Sequence, residues 1–538
     1  MAPELVTRET GRTPSVPGAA AVATWALALG ALLLALPYAG YLTDDSFIHF
    51  QFAKNLLRGD GFAFNAGDPT YGATSPLWVL LLALTGLAVP GAAATPAETS
   101  SMPALAWIAK GWGALFLALA VFRLVRLARR LGWEPRAALF LAALAAAHPW
   151  SARWALSGME TPLAFFAVVS ALDALAAALL GSGPAWRAGA WFAVASLARP
   201  ECLLLSLLAG AAVLFGSGGA RLRASASLAA GFAIPYGAWL LAAWTQFHRL
   251  VPNTGGAKAG AWLDPERAAS AIRDVIRGSL SGEGLPLALA IILFAFGGAD
   301  RLKGMDRGRR AFWIAIAAWP LLLAAFFATT GVQVVSRYLL PATPAILLLG
   351  TASLRAIAAE RRLSPRATLA ALALVAGFHL GASLVLTLRV SGPSAREHTA
   401  GLRASLGEIG AWARERTPPG TLFAVADIGA FGYYSDRPVL DLFGLVTPAM
   451  GPIAVREGYD AVVANLRFEG IARPEYLVDR ARAEGRLTAA PDPANPYRFL
   501  LARSIGNLGI TRPGEWVYSV YSIDWAVYDR HHPRLASR

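Results

Sequence analysis

Apolar runs of about twenty residues recur from residue 22 to residue 389, and no other feature constrains this chain as tightly. A helix of ~20 residues rises ~30 Å, the thickness of a bilayer's hydrocarbon core. Backbone polar groups in that medium must find partners within the spanning structure, which leaves helices or closed barrels. No ten-residue alternating segments suggest barrel strands. The expectation is a mostly α, polytopic membrane protein. Of 538 residues, 56% are hydrophobic and 15% charged, and the mean hydropathy is +0.48. A soluble domain carries about 25% charged residues.

Eleven candidate crossings follow: 22–42, 105–122, 137–150, 161–181, 186–199, 201–216, 225–247, 285–299, 311–328, 337–357 and 367–389. Four connecting loops are arginine-rich, at 123–136, 218–223, 301–310 and 355–366. The positive-inside rule places all four in the cytoplasm, with the N-terminus inside and the C-terminus outside. The net charge of +14 is therefore a topology signal, and nucleic acid is not an expected partner. The run Pro76–Pro90 is only ~22 Å long as a helix. It reads as an interfacial or re-entrant helix inside one long external loop, 43–103. Residues 1–21 read as a cytoplasmic tail, with the first helix retained rather than cleaved. From 390 the polar, proline- and glycine-punctuated sequence reads as an extracytoplasmic α/β domain, 390–538. Within it 421–427 and 517–528 read as strands, and 397–416 as an amphipathic helix. The lone Cys202 excludes an intramolecular disulfide and a cysteine metal site.

On this topology four polar groups, and a fifth, weaker one, face the same, external side. The first loop brings Asp44 and Asp45, followed by His49, Lys54, Asn65, Tyr71 and Thr74. The second turn brings Glu160, and the sequence Ala-Arg-Pro-Glu brings Arg199 and Glu201. The stretch 248–258 adds Asn253 and Lys258, and a helix start adds Arg337 and Tyr338. Each has an ordinary reading. Asp44, Asp45 and Glu160 suit helix N-termini. Arg199 and Glu201 suit a buried ion pair, Lys258 suits snorkelling, and His49 suits a packed histidine. Their convergence fits glycosyl transfer from a lipid phosphate. A carboxylate takes the proton of an acceptor hydroxyl, and cations stabilise the departing phosphate. Acids on separate loops also suit a divalent cation, Mg or Mn.

The stretch Asp44–Trp78 resembles the first-loop signature of bacterial GT-C membrane glycosyltransferases, and most nearly the mycobacterial terminal β-(1→2)-arabinofuranosyltransferase branch. The resemblance continues through 157–163, 198–201, 252–258, 336–341 and 425–445. It implies a GT-C module over 22–389 and an extracytoplasmic C-terminal domain. It also implies a polyprenyl-phosphate sugar donor, with arabinofuranose as one candidate sugar, and inverting transfer to an envelope glycan or lipid acceptor. The setting would be the bacterial inner membrane, with the site on its extracytoplasmic side. Asp44 is the expected base, with Asp45 orienting it or the sugar. The other residues above are the expected substrate contacts. Where relatives carry Glu-Gly-Tyr-Thr, this chain has Tyr71–Gly72–Ala73–Thr74, a departure that bears on the sugar. The rival readings are a transporter or flippase of lipid-linked glycan and a non-catalytic glycan-binding membrane protein.

Overall fold

The computed structural model describes residues 18–253, 264–295, 298–509 and 512–532. Among the described residues, seven helices are long and apolar enough to cross a membrane. Five of them are α1 (Gly18–Ala35), α3 (Ala104–Arg130), α4 (Pro265–Ala295), α5 (Arg307–Thr330) and α6 (Pro365–Arg416), while α2 (Asp44–Arg58) lies in the first loop between α1 and α3. The bundle is what the recurring apolar runs imply. Leu29 and Leu33 of α1, Ile234 and Leu241 of the helix Arg221–Phe247, and Leu374 and Phe378 of α6 are exposed, as lipid-facing side chains must be.

Three expectations change. The run 137–150 is not one crossing helix. Its helix, Pro135–Ala146, gives way at His148 to a second short helix, Pro149–Ala155, because proline starts helices well and continues them poorly. The crossing placed at 285–299 belongs to α4, which begins twenty residues earlier at Pro265 and kinks at Glu283. The compositional change at residue 390 is not an element boundary. α6 runs through it as one helix of 52 residues, with π-helical turns at Leu386–Ser391 and Arg403–Gly407. Its apolar half belongs to the bundle and its polar half is the first element of the C-terminal domain. The helix Pro76–Gly86 is eleven residues, ~16 Å, too short to span.

The C-terminal domain is built on a five-stranded sheet of β1 (Phe423–Val425), β2 (Val439–Asp441), β3 (Tyr476–Ala481), β4 (Tyr497–Asn507) and β5 (Pro513–Ile523). The order is β2-β1-β3-β5-β4, with β1 parallel to β2 and β3, and β5 antiparallel to β3 and β4. The expected strand 517–528 ends at Ile523. Asp524 there caps a helix, Trp525–His531, accepting from the Ala526 and Val527 N–H groups. The polar half of α6 and the helix Ile428–Ser435 place this sheet directly over α2.

Candidate functional site

α2 begins where the chain leaves α1. Thr43 caps it, its hydroxyl accepting from the Ser46 N–H at 3.3 Å while the Ser46 hydroxyl faces the Thr43 N–H in return. Asp44 and Asp45 fill the first turn, where acids complement the helix dipole. Gly59, at φ 87°, ends the helix in a left-handed conformation that favours glycine. Adjacent residues on a helix point ~100° apart, and α2 uses this to sort its polar side chains into two places.

One face of α2, carrying Asp45, Ile48 and His49, looks into a cavity of about 350 Å³. Nine of the residues expected from the sequence line it: Asp45, His49, Tyr71, Thr74, Glu160, Arg199, Glu201, Arg337 and Tyr338. Arg199 is buried between two acids, with Nη1 2.7 Å from Glu160 and Nε 2.6 Å from Glu201. Its guanidinium lies 4.8 Å over the Tyr338 ring. Arg337 pairs with Asp45 and packs 5.3 Å from the Trp154 ring. His49 Nδ1 lies 3.9 Å from the Glu160 carboxylate, whose Oε2 is buried and has no hydrogen bond among the described residues. The Asp45 side chain is 39% exposed, so of these acids it is the one a solute reaches most readily. The other wall is apolar and aromatic, with Tyr236, Trp239, Phe326 and Phe327 coming from the long helices. Tyr71 closes the gap between walls: its hydroxyl accepts from Trp239 Nε1 at 2.7 Å and its ring stacks on Phe247.

The other face of α2 never reaches the cavity. Asp44, half-buried, accepts from the N–H groups of Gly429 and Ala430 at 2.9 and 2.8 Å, at the start of the helix Ile428–Ser435. A side chain at Gly429 would meet the Asp44 carbonyl oxygen at 2.0 Å, so only glycine lets the two backbones approach. Beside it Asp427 takes Arg480 on both oxygens at 2.8 Å and the Tyr518 hydroxyl at 2.7 Å. Burial, and then the neighbouring Asp427 charge, push the Asp44 carboxyl up to about 7, against the pull of the two backbone N–H groups. Lys54, fully buried, bonds to the Tyr433 carbonyl, to Thr95 and, at 2.7 Å, to Asp436. Burial lowers its ammonium to about 8 despite the opposing Asp436 charge. Asn65 forms a two-way amide pair with the Val439 backbone, both bonds 2.9 Å.

The expected roles are corrected accordingly. Asp44, Lys54 and Asn65 fasten the first loop to the C-terminal domain and do not face the cavity. Asn253 stands behind the cavity wall, its N–H on the Tyr71 carbonyl at 2.9 Å and its amide on Thr70 and Leu445. Lys258 lies outside the described residues. Among the described residues no three His, Cys, Asp or Glu side chains come together as metal ligands. Glu160 and Glu201 share Arg199, and Asp45 is held by Arg337. That donor set does not fit a divalent cation as it stands. Tyr236, Trp239 and Leu445 line the cavity without having been singled out in the sequence. Aromatic residues inside apolar runs read as ordinary helix packing, and only the Tyr71 hydroxyl bond distinguishes Trp239.

Residues 394–528 match a family described as a domain of unknown function, DUF8728. No curated protein matches the sequence. The solved structures similar in fold include two of lipid-phosphate complexes. One is the archaeal oligosaccharyltransferase AglB from Archaeoglobus fulgidus in complex with an inhibitory peptide and a dolichol-phosphate (TM-score 0.54, 14% identity, 86% of this chain and 69% of that one). The other is ArnT from Cupriavidus metallidurans bound to undecaprenyl phosphate (TM-score 0.57, 15% identity, 94% of this chain and 98% of that one). The chain has the GT-C fold of these membrane proteins. At such identities the likeness is one of fold, and it does not single out the arabinofuranosyltransferase branch.

Proposed function

We propose that the chain is a membrane glycosyltransferase that moves a sugar from a polyprenyl-phosphate donor to an envelope glycan or lipid acceptor, with inversion. Its site faces the extracytoplasmic side of the bacterial inner membrane. The observation that carries this reading is the cavity itself. There one reachable carboxylate, Asp45, sits against Arg337 and near the buried set Arg199, Glu160 and His49, opposite an aromatic wall supplied by apolar helices. A polyprenyl phosphate needs cations for its phosphate and apolar surface for its chain. The AglB structure named above contains a dolichol-phosphate and the ArnT structure an undecaprenyl phosphate, which adds support from fold.

In this mechanism Arg337 exchanges Asp45 for the donor phosphate on binding. A guanidinium offers five N–H donors and suits phosphate. Asp45 then takes the proton of the acceptor hydroxyl as its oxygen attacks the anomeric carbon. The bond from that carbon to the phosphate oxygen breaks, and the polyprenyl phosphate leaves with its added charge held by Arg337. Arg199, fixed by two carboxylates, orients Tyr338 and Glu160. Asp44 is assigned the structural role its two backbone bonds describe, and Asp45 replaces it as base. Arabinofuranose remains the sugar to test first.

The test uses purified wild type and Asp45→Asn with radiolabelled polyprenyl-phosphate sugars, arabinofuranose included, and cell-envelope glycan as acceptor. Transfer from one donor, lost in Asp45→Asn with donor binding kept, supports the reading and names the sugar. No transfer from any donor, with lipid-linked glycan crossing vesicles instead, overturns it in favour of a transporter.

A further inference from the structure

A second, larger cavity, about 610 Å³, lies among the helix ends remote from the first. α5 joins the two: Arg309, Trp313 and Ala317 line the second, and Phe326, Phe327 and Thr330 the first. From Arg309 to Thr330 is 21 steps of helix, ~32 Å, about the thickness of bilayer hydrocarbon. The two cavities therefore lie toward opposite ends of α5.

The second cavity has a cationic rim and an apolar floor. Arg301, Arg309 and Arg355 stand on the rim, with side chains 29, 49 and 32% exposed. Each is held by one acid: Arg301 by Glu360, Arg309 by Asp306 at 3.4 Å, and Arg355 by Glu134 at 3.0 Å. One carboxylate does not use up five N–H donors. Arg355 also lies 4.9 Å over the Trp133 ring, which stacks with Trp313 at 6.3 Å. Below them Ala317, Leu349 and Ala352 form the floor. The three loops that meet here, 123–136, 301–310 and 355–366, carry fourteen basic residues against three acids. A free anion would gain nothing from the floor, and a neutral lipid nothing from the rim. Basic pockets between helix ends recognise acidic lipid headgroups, and paired Trp rings suit the level where headgroup meets acyl chain.

We propose that this cavity is a binding site for one acidic glycerophospholipid. The phosphate lies on Arg309 and Arg355, and one acyl chain lies against Trp313 and the Ala317–Leu349–Ala352 floor. The site is separate from the transfer cavity and does not depend on the proposed reaction.

The test is native mass spectrometry of the purified full-length protein in detergent, titrated with phosphatidylglycerol or phosphatidylcholine. Wild type is expected to retain one phosphatidylglycerol with at least about tenfold preference over phosphatidylcholine, and inorganic phosphate should not displace it. The double variant Arg309→Gln/Arg355→Gln should fall to the phosphatidylcholine level. Ala352→Trp, which fills the floor and keeps every charge, should do the same, and it decides the matter alone if the double variant does not fold. Equal retention of the two lipids, displacement by inorganic phosphate, or undiminished phosphatidylglycerol retention in Ala352→Trp would each overturn the proposal.

Discussion

The two faces of α2 carry much the same residue types and do different work. On the cavity face, Asp45 pairs with Arg337 and His49 lies beside Glu160 at the edge of an open volume. On the other face, Asp44, Phe47, Lys54 and Arg58 repeat at helical spacing. Phe47 packs on Tyr433 and Tyr434, and Lys54 and Arg58 meet Asp436. Asp44 spends both carboxylate oxygens on backbone N–H groups of the C-terminal domain. Two neighbouring aspartates thus differ because a helix turns them toward different surroundings. A carboxylate saturated by fixed donors is a joint. A carboxylate facing a cavity, with an arginine that a ligand's phosphate can take over, is available for chemistry.

The comparison breaks first at Asp45. Asp45→Asn keeps a partner for Arg337 and removes the proton acceptor, so transfer should fall by about a thousandfold while thermal stability stays near wild type. A rate within threefold of wild type would remove Asp45 from the mechanism. On the joint side, Lys54→Met should act through folding. Losing one member of a buried pair costs about 3–5 kcal/mol. Asp436 keeps Arg58 and is 26% exposed, so about 2–3 kcal/mol is expected, read from denaturant unfolding in detergent. Activity per folded molecule should hold. Asn65→Ala removes two hydrogen bonds to Val439, worth about 1 kcal/mol each. It should loosen the joint by about 2 kcal/mol, measurable as faster amide exchange in β2.

What the sequence could disclose follows the same division. Apolar length carried the helix bundle, because it reports directly on the bilayer. The loops that form the cavity were recognisable as a set, since a motif records which polar residues recur near a site. It does not record which way each side chain turns. Lys54 and Asn65 therefore counted as substrate contacts, although their partners, Asp436 and Val439, lie about 380 residues away in the chain. The short strands β2 and β3 carry no clean alternation, since all three β2 residues are buried and β3 is buried at four of six positions. α6 hid its continuity because its two halves lie in different surroundings and have different compositions. Glu283, buried at the kink of α4 and 3.1 Å from His148, stands in a Ser-Gly-Glu-Gly stretch that reads as a loop.

The smallest effect on transfer, and the sharpest discriminator, is expected at Asp44. Its folded carboxyl titrates near 7, whereas an unfolded aspartate titrates near 3.8. Between those values the folded protein keeps a proton that the unfolded chain has released. The unfolded state then binds fewer protons, so stability falls as pH rises through the window, by at most about 1.4 kcal/mol per unit, and levels off outside it. Asparagine at this position keeps one acceptor oxygen for the Gly429 and Ala430 N–H groups and never ionises. Asp44→Asn should therefore flatten the pH dependence of unfolding between about 4 and 7 and leave transfer within about threefold. Should transfer collapse while the slope stays, Asp44 is chemical after all, and the division of labour between the two faces of α2 fails at its first residue.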